Sequence, residues 1–514
     1  MSLELIAQEG RRLPANVPAR RVAVDAQQWT AVARQLQEAG AGLFTLWGAD
    51  DRDRDGMFHV FAAFLVPGEL VVLELAVAGD RPVYPSLERG FPVAARLQRA
   101  IHDLLGIRAD EGDARPWLRH GGWPEDRFPL RKDFDAATAC PGVSRPYPFV
   151  RVEGEGVHEI PVGPIHAGTI EPGHFRFSVV GEKVLRLEER LGYAHKGVAK
   201  RFESLPLLEG HRLAARVCGD STVAFSWAYC AALEALAGAT VSPRTASLRA
   251  LALERERIAN HVGDLGALGN DAGFAFGLTQ FSALKERMLR LNREVFGQRY
   301  LMDYIVPGGV RSDVGPRTVR LLLDEGVGIE RDVVALRAIY DEHAGLQDRF
   351  KGAGQLTPSI AKTQGAFGLV GRASGIEQDL RVTMPWAPYG ELRPTAALRM
   401  EGDVAARVQV RFDEVMESLR LSRLLLEQLP QGSTSAPVAA VDSDRIGLGV
   451  VEGWRGPVMV ALEAGAPSAI RRCHVHDPSW QNWPTVDHAI IGNIVPDFPL
   501  INKSFNLAYS GHDG

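Results

Sequence analysis

The sequence predicts an α+β chain: a small α/β module at the N-terminus, followed by a larger, mainly helical unit with short β segments. Three observations predict it. The 514 residues exceed what one hydrophobic core normally organises. Helix-like and strand-like patterns alternate over residues 1–135, and long segments of helical periodicity dominate beyond residue 163. The boundaries read as 1–135 for the first module, 136–162 for a linker and 163–514 for the second unit.

In the first module, Asp25 can cap a helix whose apolar positions Trp29, Val32, Ala33 and Leu36 recur at helical spacing. Leu43–Trp47 reads as a strand. The run Asp50–Asp55, DDRDRD, reads as a solvated charged tip. Met57–Leu65 and Leu70–Ala76 flank Pro67-Gly68, a hairpin pattern. Pro92–Leu105 reads as a second helix, with proline in its first turn and Gly106 as its stop.

The stretch from residue 108 to about 165 is rich in glycine, proline and charge and reads as a connector; Cys140 within it is read as a free thiol. Beyond it, a short β region over His174–Leu187 precedes the helices. Thr222–Ala237 is apolar on nearly every face and belongs at the centre of a bundle. Ser247–Leu268, Ser282–Phe296, Arg317–Tyr340 and Asp403–Leu429 follow, the last with an inward stripe of Val404, Val408, Phe412, Val415 and Leu419. From Val438 onward the sequence reads as short strands alternating with loops.

Composition excludes some functions. The formal net charge of -5 argues against nucleic acid as the main partner, because a phosphate-binding surface carries a basic excess. No window approaches the roughly 18 uninterrupted apolar residues of a membrane helix, and the N-terminal MSLELIAQEGRRLP does not read as a signal peptide. A membrane link is therefore expected to run through partner subunits. Four cysteines in so long a chain make no disulfide framework, which fits a reducing cytoplasm, and none stands in a C-x-x-C pair.

Four strings carry candidate chemistry. GPIHAGTIEPGHFRF, Gly163–Phe177, places two histidines and Glu171 in a loop rich in glycine and proline that enters a strand; spacing alone favours a plain turn with surface histidines. RVCGDS, Arg216–Ser221, sets Cys218 ahead of the apolar helix. A helix start can lower a thiol pKa, but a lone cysteine is more often a small buried hydrophobe. In ERERIANH, Glu254, Arg257 and His261 share one helical face, either an exposed row of ion pairs or a buried network able to pass protons. In RRCHVHDPSWQNWP, Arg471–Pro484, Cys473 and His474 alternate across a strand; His474 and His476 share a face, a weak metal signal.

Taken in order, these strings resemble one superfamily. The Gly163–Phe177 loop, GYAHKGVAKRFE (Gly192–Glu203), RVCG, ERERIANH, GDVAARVQVRFDEV, EGWRGP and DPSWQNWP are similar to the large subunit of group 4 nickel-iron hydrogenases. The same framework is the quinone-pocket, D-type subunit of NADH-quinone oxidoreductase (complex I). The N-terminal stretch, ending in WPEDRFPLRKDF (Trp123–Phe134), resembles the C-type subunit of that enzyme. The whole chain thus resembles a natural C–D fusion, as in formate hydrogenlyase large subunits.

The departures from that pattern are informative. The hydrogenase framework uses two C-x-x-C pairs to supply four thiolates to nickel and iron. Here the first pair reads Cys218-Gly-Asp-Ser221 and the second Ser479-Trp-Gln-Asn482. Serine and asparagine oxygens are poor substitutes for soft thiolate, so no nickel-iron centre and no hydrogen activation are expected. A modified site using Cys218 and nearby histidines is the weaker alternative. In the complex I comparison the quinone-headgroup tyrosine falls at Gly219, the aspartate before it at Cys218, and the partner histidine at His174. Half of the usual headgroup clamp is therefore absent, although a quinone remains a candidate ligand.

The resemblance further implies that Glu171 matches the glutamate passing protons from the hydrogenase metal site. Arg455 matches the arginine pointing into that pocket, and Asp477 stands beside the lost second pair. Glu171, His174, Cys218 and Arg455 are expected to converge on one polar cavity that handles protons or a quinone. The partners implied are an iron-sulfur small subunit of the complex I B type with a 4Fe-4S cluster, membrane subunits resembling proton pumps, and other hydrophilic electron-transfer subunits, on the cytoplasmic side of the inner membrane. The alternatives are a non-catalytic scaffold subunit of such a complex and, less favoured, a genuine nickel-iron hydrogenase. The segment Thr485–Gly514 is expected to remain on the chain, because no metal would trigger its removal.

Overall fold

Strict alternation of side chains across a strand explains how the first module is built into the rest. In a computed structural model describing all residues except 1–5, 7, 8, 136, 138–145, 169, 443 and 467, strands β1 (Arg11–Arg12), β2 (Ala19–Val24), β3 (Gly42–Asp51), β4 (Met57–Val66) and β5 (Glu69–Ala78) form one sheet in the order β1-β2-β5-β4-β3. Pairing is antiparallel except between β2 and β5. Helices α1 (Ala26–Glu38) and α2 (Ala94–Leu105) belong to this module. One set of sheet residues, including Phe58, Val60, Ala62 and Phe64, joins a core with Trp29, Leu36, Leu97 and Ile101. The alternate set, including Trp47, Phe61, Ala63 and Leu65, joins a second core shared with the helical unit. Burying each such aromatic or branched side chain contributes on the order of 1.5–3 kcal/mol. The Asp25 cap is present as a full capping box with Gln28.

The charged run at Asp50–Asp55 is a correction. Asp50 and Asp51 are buried at the end of β3. Arg52 grips Asp50 at 2.8 Å, and Arg471 binds Asp51 at 2.7 Å and Asp53 at 2.6 Å. Asp51 and Asp53 thus face a partner about 420 positions away in sequence, while the tip itself, Asp53–Asp55, is exposed as expected.

Residues within the expected linker form β6 (Val157–Val162), which pairs with β7 (His174–Val180), itself paired with β8 (Lys183–Arg190). Cys140 lies outside the described residues. The long helices follow: α3 (Thr222–Ala237), α4 (Pro243–Asp271), α5 (Ala275–Phe296), α6 (Pro316–Glu342) and α7 (Val404–Glu427). The stripe Val404, Val408, Phe412, Val415 and Leu419 of α7 is buried throughout, and α3 is buried on nearly every face. It lies against β9 (Ile446–Glu452) and β10 (Pro457–Gly465), which with β11 (Ala469–His476) make an antiparallel meander. Gly449 permits that approach, because any Cβ there would strike the Ala228 carbonyl.

The C-terminal reading needs a second correction. Beyond the meander the chain forms helices α8 (Ser479–Ala489), α9 (Phe498–Phe505) and α10 (Tyr509–Asp513), not further strands. Trp480, Trp483 and Val486 recur at three-residue intervals and bury one face of α8.

Candidate functional site

The site forms where the turn after β9 meets the segment before α3. Arg455 projects from this turn and binds Asp220 through both guanidinium ends, Nη1 to Oδ1 at 2.6 Å and Nη2 to Oδ2 at 2.7 Å. Its Nε donates to the Asn506 carbonyl at 2.5 Å, and its charge lies 3.9 Å from the Trp454 ring centroid. Burial opposes ionisation of Asp220, but the Arg455 charge overcomes it and holds the carboxyl down at about 2. The Cys218 thiol donates to Asp220 Oδ1 at 3.0 Å. Burial and the Asp220 charge push that thiol well up, so the helix start does not make it a ready thiolate.

Asp477 is buried and accepts from the Ser479 backbone N–H at 2.7 Å. Burial pushes its carboxyl up, with the Arg455 charge opposing. Gly511 packs so closely that a side chain there would strike the Asp477 carboxylate. Glu171 stands at the exposed edge and accepts the Ser510 backbone N–H at 3.0 Å. The Gly192–Glu203 block fixes this last helix: the Ala194 N–H donates to Asp513, and the Lys196 N–H donates to the Gly514 carbonyl.

The four positions matching the nickel-iron ligands are held by protein contacts. Ser221 Oγ accepts from Trp454 Nε1 at 3.0 Å and lies 3.4 Å from Arg455 Nη1. Ser479 Oγ accepts the Ala508 N–H at 2.9 Å. Asn482 is committed to both backbone polar groups of Phe367, at 3.0 and 3.2 Å. With one buried thiol, two engaged hydroxyls and a spent amide, these side chains do not fit a bimetallic centre built on four thiolates. A guanidinium stands beside the first pair.

Glu254, Arg257 and His261 are fully buried, which excludes the exposed row of ion pairs. Glu254 accepts from Arg381 at 3.0 Å and from Tyr389 and Ser418 at 2.6 Å each. His261 meets Glu414 at 2.8 Å. Arg372 joins Glu414 and Glu452 at 2.9 Å each, and Arg381 holds Asp379 at 2.7 Å. Four carboxylates thus face three guanidiniums and one imidazole. Burial and the neighbouring Asp379 push Glu452 up to about 7 against the pull of Arg372. Burial lowers His261, while Glu414 stays well below the usual carboxylate range because Arg372 and His261 outweigh its burial.

This network and the Arg455 site share one short segment. Glu452 belongs to the network, and Arg257 donates to the carbonyls of Glu452 at 2.7 Å and Gly453 at 2.9 Å. Trp454 packs edge-on against His261 and donates to Ser221. A second link runs from Arg455 to the Asn506 carbonyl, from the Asn506 amide to Asp264 at 2.7 Å, and from Asp264 to Arg411 at 2.9 Å.

His174 departs from the expected convergence. Its Nδ1 lies 3.2 Å from the Gly163 carbonyl and its ring meets Phe149, not Cys218 or Arg455. The physical reason is strand polarity: β7 turns this residue toward the cleft lined by residues 116–125 and 146–149. Gly219 is exposed, and a Cβ there would meet no atom within 4 Å. His474 and His476 are structural, His474 stacking on Trp47 and His476 bonding Gln481 at 2.8 Å. Among the described residues no group of three or more histidine, cysteine or carboxylate side chains is arranged to hold a metal ion.

Sequence reasoning missed Asp220, although it lies inside the RVCGDS string. It also missed Glu256, next to residues it chose. Glu256 accepts the backbone N–H groups of Val223 at 2.7 Å and Ala224 at 3.2 Å, at the start of α3. Burial pushes it up to about 8.

Comparison with known proteins agrees with this architecture. Residues 22–139 match the family model of the respiratory-chain NADH dehydrogenase 30 Kd subunit, and residues 271–446 match that of the 49 Kd subunit. Formate hydrogenlyase subunit 5 of Escherichia coli (strain K12) is 30% identical over 483 residues, covering 92% of this chain and 85% of that one. The C/D subunit of the NADH-quinone oxidoreductase of Bacteroides thetaiotaomicron is 28% identical over 465 residues, covering 83% and 86%. A chain of the membrane-bound sulfane sulfur reductase, an archaeal respiratory membrane complex, shares the fold with a TM-score of 0.66 at 24% identity, over 70% of this chain and 99% of that one. No helix among the described residues is long and apolar enough to cross a membrane. The chain therefore belongs to the family of large subunits common to complex I and the membrane-bound hydrogenases, as an oxidoreductase subunit of the type that joins the 30 kDa and 49 kDa parts in one polypeptide.

Proposed function

We propose that this protein couples electron transfer from a partner iron-sulfur subunit to proton movement through its own interior, without activating hydrogen. The partner's 4Fe-4S cluster delivers electrons at an exposed face, for which Gly219 and the loop around Ile165 and Ile170 are the candidates, with a quinone or related small molecule as acceptor. Ile165, 84% exposed, and Ile170, 51% exposed, give that loop the apolar surface a covering subunit would bury. The observation that carries the reading is the continuity of the Arg455–Asp220 pair with the buried carboxylate network through residues 452–455. A carboxyl poised near neutrality inside a chain of hydrogen-bonded groups can accept and release a proton at little cost. The whole assembly would sit peripherally on the cytoplasmic face of the membrane, with the membrane arm supplied by other subunits.

The test uses the assembled complex. Arg455→Ala and His261→Phe are expected to leave assembly intact while uncoupling or abolishing electron transfer. Full activity and coupling in both variants would turn the protein into a scaffold. Turnover of a quinone by the isolated chain with an electron donor would contradict the division of labour.

A further inference from the structure

A cleft of about 860 Å³ opens where residues 116–125 and 146–149 meet β7 and β8. Its most telling resident is Arg190, at the end of β8 and only 3% exposed. Its Nη2 donates to the Arg119 carbonyl at 2.7 Å, while Nη1 has no hydrogen-bond partner. Among the described residues no carboxylate forms a direct ion pair with it, and the nearby Asp103 carboxylate favours its charge only from a distance. A buried guanidinium without a directly bonded carboxylate is costly, and burial drops Arg190 to about 10 despite the Asp103 charge.

The surroundings deepen the imbalance. Arg119 lines the cleft with Asp103 no nearer than 3.7 Å, and its Nη1 is also unpartnered. Arg176 is paired on one side with Glu159 at 2.9 Å but leaves Nε free. His174, 8% exposed, keeps Nε2 without a partner. Glu125 lines the exposed rim. Rings fill the gaps between the cations: Tyr147 lies 4.7 Å from the Arg190 guanidinium and Phe149 4.6 Å from that of Arg176, and Tyr193 stands against His120.

We propose that this cleft binds a small planar organic anion, with its carboxylate, phosphate or sulfonate on Arg190 and its ring against the aromatic walls. Guanidinium offers paired donors to such an anion, the rings offer stacking surface, and the volume falls in the range of small-molecule sites. A neutral quinone headgroup would satisfy His174 but leave Arg190 without a directly bonded anion, so the site is distinct in chemistry from the acceptor proposed above and does not depend on it.

Titration calorimetry on the full chain tests this with phenyl phosphate as probe, against inorganic phosphate and benzyl alcohol. Phenyl phosphate is expected to bind about tenfold or more tightly than either fragment. Arg190→Gln should cost it a similar factor. Should that variant fail to fold, Arg119→Gln serves in its place. Tyr193→Ala should weaken phenyl phosphate while leaving inorganic phosphate unchanged. No saturable binding of phenyl phosphate, or unchanged affinity in the arginine variant, overturns the proposal.

Discussion

Arg455 binds both carboxylate oxygens of Asp220, and the same guanidinium stands 3.4 Å from Ser221 and 3.7 Å from Cys218. A permanent cation, anchored by its own carboxylate, therefore sits beside the first pair of ligand-matching positions.

Asp220→Asn removes that anchor. It is expected to lower stability by about 1–3 kcal/mol, because a buried charged donor loses its charge-assisted partner. The Asp220 carboxyl is depressed from 3.8 to about 2 in the folded state. Its contribution is therefore present above pH 3.8 and lost as pH falls toward 2. Urea unfolding of wild type and variant at neutral and acid pH checks this: the gap between them should shrink in acid.

Glu256 carries the opposite sign. Its folded-state value is raised from 4.5 to about 8 by burial, so the folded chain holds a proton that the unfolded chain releases. Its contribution is full below pH 4.5 and declines as pH rises to 8. Glu256→Gln should flatten the fall in stability over that window, whatever its effect on absolute stability. Denaturant midpoints measured across the window decide it.

Arg372 is the hub between Glu414 and Glu452. Arg372→Met leaves two buried carboxylates without their shared cation and is expected to cost about 3–5 kcal/mol. A thermal melt that matches wild type would show that the network is not electrostatically coupled as described.

Gly511→Val tests the close packing over Asp477. A side chain there strikes the carboxylate, and overpacking of this kind costs about 1–3 kcal/mol. Because α10 is also held by Glu171 and the Gly192–Glu203 block, limited proteolysis should release the C-terminal helix in the variant and not in wild type.

Which parts of this architecture the sequence revealed follows from the range of the signals. The α7 stripe and the β4–β5 hairpin are local patterns of period 3.6 and 2, and both were legible. The partners of Glu254 were not, because Arg381 and Ser418 lie 127 and 164 positions away. Helix α4 is buried on nearly all sides, so it has no polar face to mark Glu256 apart from Glu254. The start of the run Asp50–Asp55 misled for the same reason: its tip is exposed, but the burial of Asp50 and Asp51 depends on a distant arginine. Cys218, Arg455 and Asp477 could be grouped only through the resemblance. His174 was misplaced with them because motif order does not say which way a strand turns its residues.

We propose that a guanidinium-carboxylate pair, joined to a buried network able to pass protons, stands where a nickel-iron centre would otherwise be held. Metal analysis of the purified complex, with a dihydrogen-evolution assay on the same sample, tests it most directly. The account predicts nickel at background and no dihydrogen; stoichiometric nickel with dihydrogen evolution would contradict it.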